Sequence, residues 1–283
     1  MHASFLGTPT MENLTLLKYN IAPSVEAFST TRISPFHLSE KEMAAMGNYA
    51  AFNVTDYCGD NPQRVERNKQ WLCHELGIND KQLWLPRQTH TANVLCIDDD
   101  FLKHSTDEKR ALLQDVDALI TNIPQQCIGI STADCVPILL YDAKHRAVAA
   151  IHAGWRGTVK HIARHAFQLM QERYGTEATD CTAVIGPSIS EEAFEVGEEV
   201  VEEFAGHGFP ESIISRPKNS KTGKPHIDLW AANVFTLEEC GLDLQQIQIA
   251  GICTYTHFDT FFSARRLSIL SGRIFTGICL KAL

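Results

Sequence analysis

Two apolar runs, residues 136–141 and 147–151, flank the short polar turn 142–146, and this doublet constrains the chain more than any other feature. Runs of that length bounded by turn residues fit buried strands, so a hairpin is expected. Its open end carries chemistry. Cys135 stands immediately before the first run and His152 immediately after the second. Such a hairpin would set a thiolate beside an imidazole. A third group, His90 in Arg87-Gln88-Thr89-His90, follows the strand-like run 83–86. Two histidines and one cysteine leave the fourth corner of a tetrahedral ion open, as a catalytic zinc requires and a structural one does not. The spacing is too long to be a motif by itself, and it leaves open that Cys135 is a packing thiol. Asp134 has two readings as well: a carboxylate that orients an imidazole or carries a proton, or a turn aspartate at a strand entry.

The rest of the chain reads as one α/β domain. Strands are expected at 14–19, 25–31, 94–97, 118–121, 127–130, 183–185, 247–253 and 272–280. A helix should start at Pro62, capped by Asn61, and close at Gly77. Another should run from Thr158 to Tyr174, with Val159, Ile162, Ala163, Ala166, Phe167 and Met170 on one face. Further helices are expected at 196–204 and from Asp228 to Cys240. Residues 102–115 read as a surface loop or short helix, and 206–226 as a mobile loop. No linker, repeat or low-complexity stretch divides the chain. The expected organisation is an N-terminal extension with the first strand over 1–27 and a single catalytic domain over 28–283.

Composition narrows the function classes. The net charge of −9 argues against a duplex-DNA binder, whose footprint is usually basic. Nine cysteines lie far apart with no Cys-x-x-Cys, which fits reduced thiols in a cytoplasmic protein. No secretory signal is evident, and no apolar segment reaches the roughly 18 residues of a membrane span. Anion binding is expected locally. Gly154, Arg156 and Gly157 lie between a strand and a helix, where free N–H groups and a guanidinium attract phosphate; a tight turn that needs glycine explains the same residues. Arg265-Arg266 is a second candidate anion site. Several signals fail. His161 and His165 are four apart, but Ile162 stands where a zinc protease needs glutamate, so both read as solvent-side helix residues. No His-x-His pair supports a multicopper site, and the zinc deaminase signature is missing.

Together the segments resemble a known family. Gln88-Thr89-His90, Thr132-Ala133-Asp134-Cys135-Val136-Pro137 and His152-Ala153-Gly154-Trp155-Arg156-Gly157 are similar to the three core motifs of the YfiH/DUF152 family. Its members are also called laccase-domain or multicopper polyphenol oxidase-like proteins, and purine nucleoside phosphorylases. Ile185-Gly186-Pro187-Ser188-Ile189, Phe194-Glu195-Val196-Gly197, Asp228-Leu229-Trp230-Ala231, Cys253-Thr254 and Phe262-Ser263-Ala264-Arg265-Arg266 match in order, and the stretch around Asn53 resembles an early family segment. Departures are Gln-Thr-His-Thr at 88–91 for the usual Gln-Val-His-Gly, Ala264 for an aromatic residue, and Asn-Val-Thr at 53–55 for Asn-Leu-Gly.

The resemblance implies a zinc site of His90, Cys135 and His152. It implies phosphorolysis of adenosine, inosine, guanosine and methylthioadenosine to base and ribose 1-phosphate, and deamination of adenosine. The partners are then purine nucleosides and phosphate, held by Arg156, Asn53, Arg265 and Arg266, with Asp134 as a proton carrier. The implied fold is a single α/β domain with a mixed sheet flanked by helices, distantly like cysteine-hydrolase toxins. The rivals are a cysteine hydrolase using Cys135 and His152, a phenol oxidase loaded with copper in vitro, and a non-catalytic metal-binding module.

Overall fold

The computed structural model describes residues 4–5, 14–216 and 222–282. Fourteen strands are present among them. In chain order they are β1 (Ser4–Phe5), β2 (Leu16–Tyr19), β3 (Val25–Thr30), β4 (Leu83–Trp84), β5 (Val94–Cys96), β6 (Ala118–Thr121) and β7 (Cys127–Thr132). There follow β8 (Val136–Asp142), β9 (Ala147–Ala153), β10 (Cys181–Ile185), β11 (Ile214–Ser215), β12 (His226–Ile227), β13 (Ile247–Ile249) and β14 (Ile274–Leu280). The expected α/β fold with a mixed sheet flanked by helices is present, and a second sheet is added to it. The strands form a seven-stranded mixed sheet, β1-β13-β10-β8-β9-β6-β5, a five-stranded one, β2-β3-β14-β7-β4, and the small ribbon β11-β12.

Alternation along the strands explains the layering. In β8, Ile138 and Leu140 face one core, while Leu139 and Tyr141 face another. The first core is covered by the helices Ile162–Tyr174, Glu198–Gly206 and Leu229–Glu239, through residues such as Phe167, Phe204 and Leu237. The second lies between the two large sheets, where Leu139 and Val148 meet Ile128, Ile130 and Ile278. The outer face of the five-stranded sheet, with Phe28 and Phe275, packs on Leu72 of the helix Pro62–Leu76. Both faces of each large sheet are thus buried, which is why β8 and β9 read as continuous apolar runs. Each Leu or Ile so buried contributes about 1.5–3 kcal/mol.

The central hairpin forms as expected. Val136 pairs with Ala153 and Pro137 with His152, so Cys135 sits at the mouth beside His152. Asp142 closes the far end, its Oδ1 accepting from the Lys144 and His145 N–H groups, both at 3.0 Å. The helix at Pro62 is capped by Asn61 Oδ1 and closed by Gly77 at φ +67°.

Other expectations shift. The helix expected over 158–174 is broken: Trp155–Val159 forms one short helix and Ile162–Tyr174 another. His161 lies between them in the left-handed region at φ 54°, its ring stacked on Phe209 at 4.9 Å. It is therefore half-buried at a helix junction and not a solvent-side helix residue, whereas His165 is exposed. Residues 102–115 hold the helix Thr106–Leu112, and part of the expected loop at 206–226 is ordered as β11 and β12. Residues 217–221 of that loop, and 1–3 and 6–13 of the expected N-terminal extension, lie outside the described residues. Strand β3 runs through position 28. No helix among the described residues is long and apolar enough to cross a membrane.

Candidate metal centre

Three ligand-bearing side chains meet at the mouth of the β8–β9 hairpin. The ligand atoms of His90, Cys135 and His152 all lie within 4.8 Å of one another. Cys135 Sγ is 3.7 Å from His90 Nε2. Tetrahedral zinc with ordinary Zn–S and Zn–N bonds would place such atoms about 3.5 Å apart. His152 is buried, Cys135 half-buried and His90 exposed, so the cluster opens outward on one side. The residues present therefore fit a metal ion with a free coordination place. Among the described residues, this is the one group of three such side chains.

Local backbone geometry aims these groups. Cys135 follows a sharp turn in which Asp134 takes φ +88°, linking β7 to β8. His90 itself lies in the left-handed region at φ 63°. That conformation is held by Asp117, a fully buried carboxylate just before β6. Its oxygens accept from the backbone N–H groups of Thr89, His90 and Thr91, at 3.3, 3.1 and 2.7 Å, and from Thr91 Oγ1 at 2.7 Å. The same carboxylate lies 2.7 Å from His152 Nδ1. That bond leaves His152 Nε2 for a metal and fixes the tautomer.

Gly154 is required by close approach. A Cβ there would lie 2.8 Å from His90 Cδ2 and 3.0 Å from Cys135 Sγ. Any larger residue would push into two of the three candidate ligands.

The electrostatics follow from this packing. Burial alone would raise the Cys135 thiol, but the His152 charge and bonds from His152 and His90 pull it down to about 6. Burial would lower His152, but Cys135 and Asp117 together raise it to about 9. Asp117, despite its burial, is held down to about 2, chiefly by His152. A thiolate paired with an imidazolium is thus favoured at neutral pH; a metal would take the thiolate as it stands and displace the proton from His152 Nε2.

The other expected site residues divide. Asp134 lies beside Cys135 in the chain, but both its oxygens are engaged, accepting from Thr254 Oγ1 and the Arg265 N–H at 2.7 Å each. This is the bonding of a positioning carboxylate, in contrast to the free proton carrier expected. It draws the start of the helix Ala264–Leu267 to the cluster. Asn53 is corrected outright as a phosphate ligand. It is 0% exposed, its Nδ2 donates to Asp60 Oδ2 and Thr55 O, and its Oδ1 accepts from the Thr55 and Arg273 N–H groups. No part of that amide is free for a substrate. Arg156, Arg265 and Arg266 are exposed. Arg156 lies over its neighbour Trp155 at 4.2 Å, Arg265 donates to Glu195 O at 3.2 Å, and Arg266 lies over Phe258 at 4.6 Å. The helix Trp155–Val159 has only five residues, so the expected anion pull of its start is slight. Sequence reasoning missed Asp117. The one available signal was a carboxylate, the second of Asp115 and Asp117, at the entry of the apolar run 118–121.

Two stacked sheets with, among the described residues, one His–Cys–His cluster at a hairpin mouth define an α/β protein whose cluster could hold a metal ion. The model of the multi-copper polyphenol oxidoreductase laccase family matches residues 37–281, and the chain belongs to this family, the YfiH/DUF152 proteins. A purine nucleoside phosphorylase of Bacteroides thetaiotaomicron is 49% identical over 250 residues, covering 88% of this chain and 92% of that protein. An adenosine deaminase, RL5, from an unknown prokaryotic organism is 43% identical over 258 residues, covering 91% and 94%. Among solved structures, the YfiH protein of Bacillus licheniformis superposes with a TM-score of 0.84 at 25% identity, covering 96% of this chain and 98% of that one. YlmD from Geobacillus stearothermophilus gives 0.83 at 27%, with the same coverage.

Proposed function

We propose that this chain is a zinc-dependent purine nucleoside phosphorylase with adenosine deaminase activity. The observation that carries the reading is the convergence of His90, Cys135 and His152, in a chain whose relatives bear those two names. A zinc ion bound there supplies Lewis acidity at a vacant coordination place. The chain's own residues do the rest. Asp117 holds His152 in one tautomer and pins the His90 turn. Gly154 keeps the space between His90 and Cys135 clear. Arg156, Arg265 and Arg266 supply the exposed cations that take phosphate. Asp134 keeps the Arg265 segment against the cluster.

In phosphorolysis a phosphate oxygen bonds to C1′ of the ribose as the C1′–N9 bond breaks, and a phosphate proton ends on the departing base. In deamination water adds at C6 of adenine and ammonia leaves. Adenosine, inosine, guanosine and methylthioadenosine are the substrates. The nine cysteines are all free thiols, which supports a reducing, cytoplasmic setting.

Purified protein given adenosine with and without phosphate tests this. Adenine and ribose 1-phosphate are expected only with phosphate, and inosine without it. Formation of neither product set by zinc-loaded protein would refute the reading. The order Cys135, His152, Asp117 also fits a cysteine hydrolase. Iodoacetamide separates the two: zinc shields Cys135 in the first and is irrelevant in the second.

A further inference from the structure

A second cavity lies away from the metal cluster, at the edge of the five-stranded sheet. Its volume is about 690 Å³, within the range of small-molecule sites. It exists because β4 pairs with β7 through only two residues, and the helices Pro62–Leu76 and Thr106–Leu112 flank that short edge without closing over it. Its apolar surface comes chiefly from the half-buried Leu83 and Leu85, with Val54, Trp84 and Phe275 buried behind them. Five cations line it: Lys69, Lys81, Arg87, Lys109 and Arg110. Only three acidic groups do, namely Asp56, Glu66 and Asp80.

The lining thus carries a net positive charge on a chain of net charge −9. Part of that charge is spoken for: Lys69 pairs with Asp56 at 3.2 Å and Arg110 with Asp107 at 3.6 Å. Lys109 donates to Leu102 O at 2.7 Å and lies over the Trp84 ring at 5.8 Å, so its charge has no carboxylate partner. Lys81 and Arg87 likewise form no ion pair among the described residues, and of the lining carboxylates Glu66 and Asp80 form none, so three such cations stand against two such anions around the opening. An apolar wall beside unpaired cations is a recognition surface for one kind of molecule.

We propose that this cavity is a second binding site, for a small amphipathic anion with a flat aromatic or heteroaromatic body and one anionic group. The flat body lies against Leu83 and Leu85, and the anion is taken by Lys81, Arg87 and Lys109. The site is independent of the metal cluster, because none of His90, Cys135 and His152 lines it.

Calorimetric titration of the full chain with naphthalene-1-sulfonate tests this, with neutral 1-naphthol as the comparison. Saturable binding at one site per chain is expected, weakened about tenfold for 1-naphthol and about tenfold in Lys81→Glu. Lys81 is exposed, so that variant keeps its fold; Lys109→Gln gives an independent reading of the same loss. Cys135→Ala should bind the sulfonate as the unaltered chain does. No saturable binding, equal affinity for the neutral compound, affinity unchanged in both lysine variants, or loss of binding in Cys135→Ala would each overturn the proposal.

Discussion

At Asp117 one buried carboxylate serves two candidate ligands at once. It accepts three successive N–H groups from the turn that carries His90, and it bonds the Nδ1 of His152. Asp117→Asn keeps the size but can present only one accepting oxygen, so either the turn or the imidazole loses its partner. Zinc affinity, measured by competition with a chromogenic chelator, should fall about 10–100-fold. An unchanged affinity would mean that the ligands hold their places without it. Gly154 is the second such position. Gly154→Ala places a methyl against Cys135 and His90, so the same titration should show at least about tenfold weaker binding, the effect of displacing a ligand by a few tenths of an ångström. Binding equal to that of the unaltered chain would show that the cluster yields without penalty.

Among elements, the β8–β9 hairpin is the one that brings the site together, and its two ends can be tested apart. Asp142 closes the end remote from the metal cluster. Burial would raise its pKa, but the bonds from the His145 main chain and ring hold it below the ordinary carboxylate value. The stabilisation is therefore complete above the unfolded-state value, near 3.9, and is lost as pH falls through the lower folded-state value. Asp142→Asn should cost about 1–2 kcal/mol at pH 7. The difference in melting temperature from the unaltered chain should shrink below about pH 4. A difference that persists at acid pH would place the effect in packing and not in charge.

This hairpin was legible from two apolar runs and a polar turn, and with it the pairing of Cys135 and His152. The helix from Pro62 to Gly77 was legible from its caps. The break at His161 was not, because the apolar spacing of 159–170 continues across it and nothing in that spacing marks the left-handed backbone at His161. Asn53 misled for the opposite reason: its place in a family segment says nothing of a burial that only the packed structure shows. Asp117 escaped because its partners come from two distant stretches of chain, 89–91 and 152.

On the scale of the whole molecule, two sheets with both faces buried provide a rigid frame, and the chemistry sits where strand ends emerge from it. His90 arrives beyond β4, Asp117 ahead of β6, Cys135 ahead of β8, and His152 within β9. Loops hold groups at a rim less firmly than strand ends anchored in a core. The same frame leaves its short edge at β4 open, where the cationic cavity lies. The proposed function depends on His90, Cys135 and His152 gathering a single ion. Elemental analysis of the chelator-free protein, beside its Cys135→Ala variant, measures this most directly. One zinc per folded chain is expected, falling to a small fraction in the variant. A chain without bound metal, or a variant holding as much zinc as its parent, would contradict it.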